Sequence, residues 1–269
     1  MKKLLAAAVA ALFALSLAGC GTPAASASTA ETAGQSVELV VFAAASLTET
    51  LTEIADTYEA AHPGVTLTFN FDSSGTLKTQ VEEGAACDVF LSAAEKQLDQ
   101  LEDLGLVDTA TRRDLLENRV TLCVPEGNPA SIQGFDDLAG RLAAGDILLA
   151  MGNSDVPVGQ YTQKIFAHYG LDEGALASAG VLTYGTNVKE VTAQVAQGSV
   201  DCGIVYATDA YSAGLTVVDT ATAELCGQVL YPGAVLSGSA HPDEAAAFLD
   251  YLSTPEAMKI FASVGFSAP

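Results

Sequence analysis

The chain has 269 residues, 49% of them hydrophobic and 16% charged, with 33 acidic side chains against 11 basic ones and a formal net charge of −22. So acidic a chain repels a phosphate backbone, which sets nucleic acid aside as a partner. It would also repel any anionic ligand at long range, but salt screens that field within about 10 Å, so an anion site here has to be built from local dipoles.

Met1-Lys2-Lys3 is a short basic start, and residues 4–17 form an apolar run of signal-peptide length, too short to span a membrane. The run ends in Leu17-Ala18-Gly19-Cys20, which resembles a bacterial lipobox; the resemblance implies that Cys20 becomes the lipidated first residue of the mature chain. A plain secretory leader with an incidental cysteine is the alternative. Cleavage before Cys20 removes Lys2 and Lys3 and takes the net charge to −24. Residues 20–36 are rich in Ala, Ser, Thr and Gly and read as a flexible tether. No later stretch offers eighteen uninterrupted apolar residues. The roughly 235 residues that follow the tether suffice for one large domain or two lobes with separate cores.

Residues 40–49 (VVFAAASLTE) read as a buried strand, a tight turn and a helix start. Leu47, Leu51, Ile54, Ala55 and Tyr58 share one helical face. Ser46 is expected at or beside the N-cap, where free N–H groups and the helix dipole favour an oxyanion. The three alanines before it let a ligand approach the backbone, although most capped helices bind nothing. Residues 65–70 (VTLTFN) alternate like a strand and lead through Asp72, Ser73, Ser74 and Gly75 to a second helix start. Ser74 offers the same hydroxyl and N–H, or else a simple serine-rich turn. Residues 87–92 (CDVFLS) read as a third strand, with a helix over 94–104.

A β-rich run at 119–125 (RVTLCVP) opens what reads as a second lobe, and 147–151 (ILLAM) is another buried strand. Pro157 fits a helix start, which would leave the N–H groups of Val158 and Gly159 free. Residues 181–184 (VLTY) repeat the design, with Asn187 as cap and Val188 in the first turn. Residues 200–206 (VDCGIVY) run into Tyr206, with a short helix starting near Thr208. Strand-like and helix-like runs alternate throughout, which makes this an α/β chain. Ligands of open α/β sheets bind at the carboxyl ends of strands, where these turns lie.

Cys87, Cys123, Cys202 and Cys226 sit in or near apolar runs without CxxC spacing, which argues against zinc; two disulfides and four buried thiols both remain open. His62, His168 and His241 lie at a helix end, late in a helix and in a polar turn, none beside Ser46 or Ser74 in sequence. GxSxG and HExxH are absent, and the carboxylates read as solvated faces.

With Ser46 in FAAASLTE, Ser74 in FDSSGTL, Val158 in VPVGQY, Val188 in TNVKEV and Tyr206 in GIVYATDA, followed by Tyr231-Pro232, Thr254-Pro255-Glu256 and Gly265-Phe266, the chain resembles the periplasmic molybdate-binding proteins of bacterial ABC importers. The resemblance implies a type II solute-binding fold: two α/β lobes, each a mixed sheet flanked by helices, with the ligand in the cleft between them. One lobe would comprise 37–118 and 232–269, the other 119–231. It further implies that Ser46 and Ser74 give hydroxyl and backbone donors, Val158 and Val188 backbone N–H groups and Tyr206 its hydroxyl. They would hold the oxygens of molybdate or tungstate, with no direct ligand to the metal and no cofactor. A membrane permease would be the partner, the protein a monomer and its place outside the cytoplasm on a lipid anchor.

Two departures stand out. Val158 replaces a common alanine, and Gly75 stands where serine is common, with Asp72 close by. An aspartate in the cleft would oppose a dianion, so Asp72 is expected to face solvent or cap the helix. Sulfate, equally charged but smaller, is the nearer alternative ligand. A secreted serine hydrolase is the alternative of a different class.

Overall fold

The structure, a computed structural model, describes residues 36–269. The expected leader, Cys20 and all but the last residue of the tether lie outside the described residues. Strand β1 (Val37–Ala44) runs into a 3-10 turn (Ala45–Leu47) and α1 (Thr48–Ala61). Next come β2 (Val65–Asp72) with α2 (Ser74–Glu82), β3 (Val89–Leu91) with α3 (Glu95–Asp103), and the strands β4 (Arg113–Asn118) and β5 (Val120–Val124). The middle of the chain forms α4 (Phe135–Ala144), β6 (Leu149–Gly152), α5 (Pro157–His168), α6 (Glu173–Ser178), β7 (Leu182–Gly185) and α7 (Val188–Ala196). After these follow β8 (Cys202–Tyr206), α8 (Ala207–Ser212), β9 (Thr216–Thr220), α9 (Ala223–Cys226) and β10 (Val229–Val235), then α10 (Pro242–Tyr251) and α11 (Pro255–Val264).

The strands form two five-stranded mixed sheets, ordered β2-β1-β3-β10-β4 and β7-β6-β8-β5-β9. In the first, β1 pairs parallel with β2 and β3, while β10 lies antiparallel between β3 and β4. In the second, β6 pairs parallel with β7 and β8, and β5 antiparallel with β8 and β9. The chain passes between the sheets at Arg119 and again between β9 and β10. This is the architecture of a two-lobed binding protein, each sheet flanked by its own helices.

Both sheets are fully buried at their centres: Leu39, Val41 and Val89 in the first and Leu122, Leu149 and Ile204 in the second have no exposed surface. Each such side chain contributes about 1.5–3 kcal/mol of hydrophobic stabilisation. Helix α1 buries Leu51, Ile54 and Tyr58, the expected face, with Ala55 half-buried at its edge. The four cysteines of the described residues are buried free thiols, which closes the disulfide alternative. Burial pushes Cys87 and Cys123 up to about 12, so these thiols stay protonated and unreactive.

Two carboxylates depart from the solvated faces that the sequence suggested. Asp88 is buried, its Oδ2 accepting from the Val40 N–H at 2.8 Å and its Oδ1 from Ser239 Oγ at 2.6 Å. Asp209 is 1% exposed.

Candidate functional site

Three parallel strands in each sheet end at one place. Beyond β1, β2 and β3 come Ser46, Ser74 and Ala93; beyond β6 and β7 come Val156 and Val188, and β8 ends in Tyr206. Together with Ala44, Ala45, Asp72, Ser73 and Pro157 they wall a single cavity between the sheets. The space is small, about 10 Å³ of room for the centre of a water-sized sphere, which is about what one water needs. No lining side chain is cationic, and none is a histidine.

The donors come from helix starts, whose first N–H groups have no carbonyl one turn back to bind. Ser74 and Val188 are the first residues of α2 and α7. Asn187 caps α7 as the sequence suggests, whereas α2 is capped by Ser73, to which the sequence gave no such role. Ser73 Oγ accepts from Thr76 N–H at 3.1 Å, and Asn187 Oδ1 accepts from Glu190 N–H at 3.1 Å. Pro157 opens α5, with Val158 behind it. Gly159 lets that helix sit against the preceding turn: a Cβ there would lie 2.2 Å from the Asn153 carbonyl oxygen.

The hydroxyls are set by their other partners. Ser74 Oγ accepts from Ala93 N–H at 3.0 Å, which leaves its own proton to give. Ser46 Oγ lies 2.9 Å from Tyr231 Oη, which Asn118 Nδ2 reaches at 3.2 Å. Tyr206 is 1% exposed, and its hydroxyl has no partner among the described residues. Burial first, and then the neighbouring Tyr231, push that hydroxyl well above its usual range, so it keeps its proton as a donor. A buried hydroxyl left unpaired costs about 1–3 kcal/mol, and a ligand that accepts from it would repay that cost.

Four of the five residues singled out in the sequence (Ser46, Ser74, Val188 and Tyr206) border the cavity. Val158 does not: it is fully buried one residue behind, and Val156 and Pro157 form the wall. Ser46 is no N-cap. It lies inside the 3-10 turn, Leu47 occupies the cap position of α1, and the Ser46 hydroxyl has turned to Tyr231. Asp72 does not cap α2, and it is half-buried. It borders the cavity, its Oδ1 accepting from Ser73 N–H at 2.7 Å and from Asn187 Nδ2 at 3.2 Å across the junction of the sheets. Two donors thus hold the aspartate where the chain turns. Sequence reasoning gave no role to Asn118, Tyr231 or Ala93. Tyr231 stands 185 positions from Ser46, and no local pattern pairs them.

An ion cluster spans the junction beside the cavity. Lys189, next to Val188, binds both Glu49 carboxylate oxygens at 2.8 Å and Asp209 Oδ1 at 3.0 Å. Burial pushes Asp209 up to about 6 although Lys189 pulls the other way. At the opposite side, Gly75 of α2 meets the turn before α5: a Cβ there would lie 2.1 Å from the Asp155 carbonyl oxygen.

Two sheets with a small donor-lined cavity between their strand ends have the form of a solute-binding protein. The sequence pattern of the bacterial extracellular solute-binding proteins matches residues 39–267, and the chain belongs to that family. It is 34% identical to YvgL of Bacillus subtilis, described as a candidate ABC transporter substrate-binding lipoprotein, over 86% of this chain and 87% of that one. It is 33% identical to the molybdate-binding protein ModA of Haemophilus influenzae, over 87% of this chain and 91% of that one. The solved substrate-binding domain of a candidate molybdenum ABC transporter from Clostridium difficile is similar at 32% identity and a TM-score of 0.65, over 87% of this chain and all of that one.

Proposed function

We propose that this protein is the receptor of an ABC importer, that it captures molybdate, and tungstate with it, and that it delivers the ion to a membrane permease. The observation that carries the reading is the unpartnered Tyr206 hydroxyl in a cavity walled mainly by small residues, serine hydroxyls and helix starts, with Asp72 the one charged side chain on the wall and its Oδ1 held by Ser73 N–H and Asn187 Nδ2. Molybdate and tungstate are dianions rich in acceptor oxygens with no proton to give. Neutral donors held in a water-poor space suit them without a cationic side chain. In this reading Ser46 and Ser74 donate from the lobe built on the first sheet, and Val188 and Tyr206 from the lobe built on the second; because all of β10 pairs in the first sheet, the second lobe ends before Val229 and not at Tyr231. Val158 joins them through its N–H, provided that the ion approaches the α5 start past Pro157. Cleavage of the leader, lipidation of Cys20 and the tether to residue 36 would hold the receptor at the outer face of the membrane. The names of the relatives in Bacillus and Haemophilus support both the transport role and the ion.

Sulfate has the same charge and a smaller radius, so the fit of the cavity decides between them. Asp72 favours one further reading, because a carboxylate beside the cavity could accept the proton of hydrogen phosphate. Against it, Asp72 Oδ1 is already taken by two donors. Against catalysis by either serine, no histidine borders the cavity, and Asp72 is bound to Ser73 N–H and Asn187 Nδ2 and to neither the Ser46 nor the Ser74 hydroxyl.

Isothermal titration with molybdate, tungstate, sulfate and hydrogen phosphate tests the proposal. Saturable heat is expected from the first two. Tight sulfate or phosphate binding with none of molybdate would refute it, and sustained ester or phosphate turnover dependent on Ser46 would replace it with an enzyme.

A further inference from the structure

The pair Ser46 Oγ and Tyr231 Oη could carry its shared proton in either direction. The surrounding network decides which. The Arg119 N–H can only donate, and it does so to Asn118 Oδ1 at 2.8 Å. That fixes the amide, so Asn118 Nδ2 faces Thr208 Oγ1 at 2.9 Å and Tyr231 Oη at 3.2 Å. An amide nitrogen has no lone pair to offer, so Tyr231 Oη accepts there. Burial, and then the charge of Asp209, hold Tyr231 well above its usual range, so it keeps its own proton. That proton needs an acceptor, because Tyr231 is 1% exposed, and Ser46 Oγ is the acceptor in reach. Ser46 therefore accepts on its buried side, and its own O–H is left for the cavity that it borders.

We propose that Asn118 and Tyr231 are positioning residues that hold Ser46 as a donor, and that this polarity selects fully ionised oxyanions over oxyanions that carry a proton. The inference rests on the oxyanion reading above and deepens it. Asn118 ends β4 at the crossing between the sheets, and Thr208 belongs to α8 on the second sheet. The relay is thus anchored where the two halves of the molecule join. A protonated ligand oxygen at Ser46 would meet a second donor, whereas an ionised oxygen meets only its partner.

The test compares wild type, Asn118→Asp and Tyr231→Phe by calorimetry with molybdate and hydrogen phosphate at mildly alkaline pH, where both ions are dianions. In Asn118→Asp the introduced carboxylate accepts from Tyr231. Tyr231 then accepts from Ser46, and a serine lone pair faces the cavity. The added charge opposes both dianions alike, so it cancels in the ratio of their dissociation constants. The preference for molybdate is expected to fall about ten-fold or more, the size of one hydrogen bond to a charged group made or lost. Appearance of phosphate binding where wild type has none is the same result. Tyr231→Phe only frees Ser46 to rotate, so its ratio should move the same way by a smaller factor. Thermal melts of the ligand-free proteins check folding. If Asn118→Asp fails to fold, Tyr231→Phe decides alone, because phenylalanine fills the same buried space. A ratio equal to that of wild type in the folded variants overturns the relay. A wild type that binds neither ion overturns the oxyanion reading, and the relay with it.

Discussion

Tyr206 separates what a residue does for the fold from what it does for a ligand. Its ring is core, packed edge-on against Tyr161 and Tyr231, while its hydroxyl is buried without a partner. Tyr206→Phe keeps the ring and deletes the orphan. The ligand-free variant should therefore unfold at the same denaturant concentration as wild type or be more stable by about 1 kcal/mol. Its affinity for molybdate should fall by about 1.5–3 kcal/mol, the range for a hydrogen bond to a charged group. Parallel urea unfolding and calorimetry check both signs. Loss of stability with unchanged affinity would make Tyr206 a packing residue only. Ser46 carries the complementary lesson. From sequence it reads as a residue at or beside the cap, and it does lie next to Leu47 at that position. The structure gives its hydroxyl a tyrosine from a strand formed almost two hundred residues later.

At the level of elements, the starts of the helices were legible and the long-range pairings were not. Asn187 before Val188 and Pro157 at the opening of α5 are local signals, and each sits where such residues satisfy or avoid an orphan N–H. Strands β4, β9 and β10 were missed. β10 contains Pro232 and Gly233, poor strand formers, and it enters the first sheet antiparallel with a register shift at Pro232. Its place between β3 and β4 is decided by tertiary burial. The position of Asp72 was missed for a similar reason: its partner Asn187 lies 115 positions away. Gly75 sits where the two halves meet and does not border the cavity. Gly75→Ala suits the start of α2, but its Cβ would press on the Asp155 carbonyl and wedge the two halves apart. The ligand-free protein can avoid that strain by opening, so the cost should appear in molybdate affinity. A loss of about 1–3 kcal/mol is expected, as for overpacking elsewhere. Calorimetry of Gly75→Ala reads it, and wild-type affinity would mean that the junction yields freely.

For the whole molecule, acidity and the ion cluster at the junction make stability depend on pH. Asp209 titrates at about 6 in the folded protein against an ordinary value of 3.8, because burial outweighs the pull of Lys189. Between these values the folded state holds more protons than the unfolded chain, so stability falls as pH rises through that window. The contribution of this one buried group is about 2–3 kcal/mol, fully present below the lower value and gone above the higher. Asp209→Asn removes the ionisation. Urea unfolding of both proteins across this range should show the difference between them growing in favour of the variant as pH rises. A difference that stays constant with pH would mean that Asp209 titrates normally.

The same scale holds the central claim, that two halves of an acidic molecule close neutral donors around one oxyanion. Crystals grown with molybdate and measured at the molybdenum absorption edge test it most directly. One anomalous peak is expected between the sheets, its oxygens within hydrogen-bond reach of Ser46, Ser74, Val188 and Tyr206. A cavity without a peak at saturating molybdate, or a peak held elsewhere on the molecule, would contradict the account.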